Sequence, residues 1–122
     1  ELVLLVEDEP NVRRVVRQQL IDLGYPVIEP EDGQQALAMV DQIIDVAIVV
    51  SDIIMPGGLN GRQLAEAVLD RRPAMRIVLM SGYTDETDTG EAGGASDLPV
   101  LAKPFARQDL ARALQRAKRE GA

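Results

Sequence analysis

No cysteine and no histidine occurs in the 122 residues of this chain. The first absence removes disulfides and thiolate chemistry. The second removes the usual general base, the usual transition-metal ligand and any internal phosphohistidine donor. Basic residues are also in short supply: 13 Lys and Arg stand against 20 Asp and Glu, a net charge of -7. Such a balance opposes a nucleic-acid phosphate backbone, so no direct nucleic-acid contact is expected. Long apolar runs are missing too. Leu2–Val6 is too short for a membrane span and lacks the basic leader of a signal peptide. The expected location is therefore the cytoplasm, with no membrane contact.

What is present is an ordinary globular composition, 46% hydrophobic and 27% charged, at a length suited to one domain over residues 1–122. The chain opens on Glu1 rather than Met, a hint of excision from something longer. Strand-like apolar runs alternate with segments of helical period. The first strand is Leu2–Val6. Pro10 then suits the first position of a helix whose stripe is Val12, Val16, Leu20 and Leu23, with Gly24 as its C-terminal stop. Pro26–Glu29 reads as a short strand. Asp32 and Gln35 have capping-box spacing ahead of Ala36, Leu37, Val40 and Ile43. Val46–Ser51 is the third strand, and Asn60 caps a helix carrying Leu64, Ala67 and Val68.

Arg76–Met80 is the fourth strand. A helix is due over Thr84–Ala95, but Gly90, Gly93 and Gly94 each cost about 1 kcal/mol there, so it should be short or mobile. A brief fifth strand precedes Lys103, and Leu110, Ala113, Leu114 and Ala117 stripe a last helix with a solvated basic end. Five strands and five helices in alternation predict a flavodoxin-like α/β fold, a doubly wound parallel sheet of strand order 2-1-3-4-5.

Four of the strands share one property. They run into Glu7-Asp8, into Asp52, into Ser81 and into Lys103. In parallel strands these ends line one sheet edge, where open α/β sheets bind ligands. Three acids, a hydroxyl and an amine would then meet. Crowded carboxylates need a hard cation, and Mg²⁺ suits one or two of them with water and a phosphate oxygen. A carboxylate can also be a phosphoryl nucleophile, and the reaction then needs charge neutralisation more than a general base. Singly, Asp52 could be a turn residue, Glu7 and Asp8 a helix cap, Ser81 turn chemistry and Lys103 a solvated lysine. Their joint order at strand ends favours a site.

Val6-Glu7-Asp8, Asp52-Ile53-Ile54-Met55-Pro56, Met80-Ser81-Gly82-Tyr83 and Lys103-Pro104-Phe105 together closely resemble the receiver domains of two-component response regulators. The loop Gly57-Gly58-Leu59-Asn60-Gly61, one residue longer than the commonest form, and the Ser-Gly-Tyr triplet look most like receivers of hybrid histidine kinases. The resemblance implies a phosphorelay switch rather than a metabolic enzyme. Asp52 would be the phosphoacceptor. Asp8, Asp52 and the Ile54 backbone carbonyl would hold Mg²⁺, with Glu7 helping through water. Ser81 and Lys103 would serve the transfer and read the phosphate.

The implied donor is a histidine kinase or histidine phosphotransfer protein; the downstream target is unspecified. The output face would be the helix after the fourth strand, the fifth strand and the last helix. Ser81, Tyr83 and Val100 occupy the switch positions, but Val100 stands where many relatives carry Tyr or Phe, leaving Tyr83 as a partial substitute. Phe105 is expected in the core. Ile54 and Tyr83 flank the water path to the acyl phosphate and should slow its hydrolysis. The alternative is a pseudo-receiver serving as a constitutive interaction module. An aspartyl phosphatase would want an acid where Ile54 stands.

Overall fold

A computed structural model describes residues 1–55, 58–82 and 98–121. The expected helix over 84–95, Tyr83 and the Pro56-Gly57 step lie outside the described residues. The elements run β1 Leu2–Val6, α1 Pro10–Asp22, β2 Val27–Ile28, α2 Gly33–Gln42, β3 Val46–Asp52, α3 Gly61–Arg71, β4 Arg76–Ser81, β5 Val100–Ala102 and α4 Arg107–Gly121. All strand pairs are parallel, and the five-stranded sheet has the order β2-β1-β3-β4-β5. The sheet order agrees with the expectation. Among the described residues no helix is long and apolar enough to cross a membrane.

β1, β3 and β4 are buried on both faces, which explains their near-continuous apolar sequence. Leu4, Val6, Val49, Ile77 and Leu79 face one core, closed by Ala36 and Val40 of α2 and by Leu64, Ala65 and Val68 of α3. Val3, Leu5, Ile48, Val50, Val78 and Met80 face the other, closed by Val16 and Leu20 of α1 and by Leu110, Ala113, Leu114 and Ala117 of α4. Phe105 packs against this second core. One irregularity interrupts the alternation: Leu2 pairs with Val46 but Val3 with Ile48. Ala47 is the extra residue, so Val46 and Val49 reach the same core despite their odd spacing.

The helix ends are built locally. Glu9, not Glu7 or Asp8, caps α1: its side chain accepts the Asn11 N–H at 2.6 Å, with Pro10 next. At the other end Tyr25 N–H donates to Leu20 O at 3.0 Å and Gly24 N–H to Ile21 O at 2.9 Å, a Schellman closure. Gly24 makes it possible with φ +98°. Asp32 accepts from Gln35 N–H, but the Gln35 side chain takes the Glu31 N–H rather than that of Asp32. The reciprocal capping box sits instead at α3, between Asn60 and Gln63.

Candidate functional site

The register brings the strand ends level. Val6 pairs with Ser51, Asp52 with Met80 and Ser81 with Ala102. Glu7 and Lys103, each one residue past its strand, therefore flank Asp52, the last residue of β3. Ser81 closes β4, and its carbonyl accepts the Lys103 N–H at 2.7 Å. The strands end one residue later than expected at Asp52 and Ser81.

Glu7, Asp52 and Ser81 are buried, whereas Asp8 is exposed. Carboxylate oxygens of Glu7, Asp8 and Asp52 lie within 4.8 Å of one another. An all-oxygen donor set of this kind, with buried and exposed members, fits a hard divalent cation. Lys103 Nζ stands 3.1 Å from Asp52 Oδ1 and 3.2 Å from Glu7 Oε1. The other Glu7 oxygen accepts the Glu9 N–H at 3.1 Å. Glu7 thus has both carboxylate oxygens engaged, one by the lysine and one by the loop. Burial alone would lower the Lys103 pKa, but hydrogen bonds and charge from Asp52 and Glu7 outweigh it and raise the value.

The structure joins Glu7, Asp8, Asp52 and Lys103 and sets Ser81 at the adjacent strand end. Ile54, two residues beyond Asp52, is half-exposed. Val100 lies on the edge strand β5, paired with Leu79, with 37% exposure. Two supporting residues escaped the sequence reading. Arg13 Nη1 donates to the Glu7 carbonyl at 3.1 Å; its only sequence signal is its place on the first turns of α1. Gly61 N–H donates to Ile53 O at 2.7 Å, a contact hinted at only by a glycine directly after the Asn60 cap. The Lys103-Pro104-Phe105 loop, whose Lys103–Pro104 peptide is cis, is tied to α1 by Gln19 Nε2 donating to Phe105 O at 3.1 Å.

Comparison with known proteins agrees with this geometry. Residues 3–115 match the family model described as response regulator receiver domain. The positive alginate biosynthesis regulatory protein of Pseudomonas aeruginosa is 37% identical over 120 residues, covering 96% of this chain and 47% of that protein. The sensor kinase CckA of Brucella abortus is 34% identical over 110 residues, covering 89% of this chain and 12% of the kinase. The chain thus spans about half the length of one and a small part of the other. A response regulator receiver protein from Sinorhizobium medicae superposes with a TM-score of 0.86 at 26% identity, covering 99% of this chain and 96% of that one. Sheet order, strand-end acids and these matches lead to one conclusion: the chain belongs to the response regulator receiver family, the signal-receiving modules of two-component systems.

Proposed function

We propose that Asp52 accepts a phosphoryl group from a phosphohistidine on a histidine kinase or histidine phosphotransfer protein. A carboxylate oxygen of Asp52 attacks phosphorus, the P–N bond breaks, and the imidazole leaves with its electron pair and takes up a proton. Asp8, Asp52 and the Ile54 carbonyl would hold Mg²⁺, which when bound neutralises the acids and the charge on the phosphoryl oxygens. Lys103 moves from the Asp52 carboxylate to a phosphoryl oxygen, and Ser81 donates a hydrogen bond to another. Glu7 keeps Lys103 over the cleft throughout.

The observation that carries this reading is the Lys103 bridge between Glu7 and Asp52, with the Asp8 carboxylate beside it. A constitutive module has no need to bury two acids against one lysine. The domain is then a switch within residues 1–122, in the cytoplasm, and its output passes through the surface around β5 and α4. Incubation with Mg²⁺ and a small phosphodonor, followed by intact mass, tests it. One added phosphoryl group, absent in Asp52→Asn and absent in EDTA, is expected. An unchanged mass, or phosphorylation that survives Asp52→Asn, overturns the assignment.

A further inference from the structure

We infer that Arg13 is a positioning residue for the Asp8 carboxylate, an inference that rests on the Mg²⁺ site proposed above. Asp8 is exposed, so its direction is set by the two peptide units flanking its Cα. Both units are held by side-chain hydrogen bonds. Arg13 Nη1 fixes the Glu7–Asp8 peptide through the Glu7 carbonyl at 3.1 Å. The Glu7 carboxylate fixes the Asp8–Glu9 peptide through the Glu9 N–H at 3.1 Å.

Arg13 is itself aimed. Its Nε pairs with Glu29 Oε1 at 3.3 Å, just past β2, and the other Glu29 oxygen pairs with Arg17 Nε at 3.4 Å. These pairs are about one-third exposed, too wet to add much stability. Their effect is geometric: a planar guanidinium held at Nε points its Nη1 in a fixed direction. The ends of β1, β2 and α1 meet on this one side chain.

A purely electrostatic role makes the opposite prediction, which lets the sign decide. Removing a cation near a metal site tightens cation binding, whereas releasing the Asp8 loop weakens it. Arg13→Met and Arg17→Met each delete one charge and one ion pair to the same Glu29, but only Arg13 touches Glu7. Calorimetric Mg²⁺ titration of the folded proteins is expected to show a dissociation constant raised about threefold to tenfold in R13M. R17M should bind as tightly as wild type or slightly tighter. R13K keeps the charge but cannot span both Glu7 and Glu29; it should also weaken binding, and it serves if R13M does not fold.

Wild-type affinity or better in R13M, or in R13K if R13M does not fold, overturns the inference. So does an equal loss in R17M. If the wild-type chain takes up no Mg²⁺, the metal site itself is wrong and the inference falls with it.

Discussion

Gly61 abuts the backbone of Asp52. A Cβ built on Gly61 would lie 2.2 Å from Asp52 O and 2.7 Å from Ile53 Cα. Helix α3 therefore starts on the strand end that carries the proposed nucleophile, and the 2.7 Å bond from Gly61 N–H to Ile53 O ties the two together. The requirement for glycine is one of space, since Gly61 is not among the residues with positive φ.

Gly61→Ala must push apart α3 and the Asp52–Ile53 peptide. The expected cost is about 1–3 kcal/mol in urea denaturation, as for other overpacked sites, together with slower phosphorylation of the folded protein. Gly24→Ala is the control. Its added Cβ meets nothing within 4 Å, yet its φ of +98° suits glycine. That variant should lose about 1 kcal/mol through backbone strain alone and keep the wild-type phosphorylation rate. A G61A protein with wild-type stability and rate contradicts the steric account.

Lys103 carries the second prediction. Burial works against its charge, but Asp52 and Glu7 raise its pKa in the folded state. A lysine whose folded pKa exceeds its unfolded value of about 10.4 contributes stability that is complete below that pH. The contribution is lost as pH rises through the folded pKa. Lys103→Met leaves Glu7 and Asp52 facing each other without a cation. In EDTA at neutral pH it should be less stable by roughly 1–3 kcal/mol. Denaturation curves followed to about pH 11 should show the two proteins converging as the wild-type lysine deprotonates. A constant gap across the alkaline range would contradict the lysine-centred network.

How much of this was readable beforehand depends on the range of the interaction. Val3 to Val6 and Ile77 to Met80 announce buried parallel strands by composition, and the polar residue after each run marks the sheet edge. The bulge at Ala47 was not readable, because a run of apolar residues has the same pattern in either register. The capping box at Asn60 and Gln63 obeys a spacing rule that Asp32 and Gln35 also satisfy, and only the folded backbone separates the complete box from the partial one. Arg72 shows the limit plainly. Its guanidinium donates to Val40 O, Ile43 O, Ile44 O and Val46 O, joining the end of α2 to the start of β3. Those partners lie 26 to 32 positions away, and no local pattern connects them. Arg13 was missed for a different reason: Glu7 lies only six positions back but is met through its backbone carbonyl, which no side-chain pattern announces, and Glu29 lies past another strand.

The lifetime of the phosphorylated state gives the last prediction. Ile54 follows β3 by two residues and is 52% exposed. An apolar group two residues beyond the proposed phosphoacceptor offers no hydrogen bond to orient water for attack on an acyl phosphate. Ile54→Asn supplies a donor and an acceptor at the same place. The variant should lose its phosphoryl group about fivefold to tenfold faster, a barrier change of about 1 kcal/mol. Because Ile54 is already half in solvent, stability should move by no more than about 0.5 kcal/mol. Faster decay would then report on water and not on unfolding. Decay of the purified phosphoprotein, followed by intact mass in EDTA and in Mg²⁺, makes the measurement. If the asparagine variant decays at the wild-type rate or more slowly, Ile54 does not govern the water path, and its apolar side chain has no part in setting the lifetime.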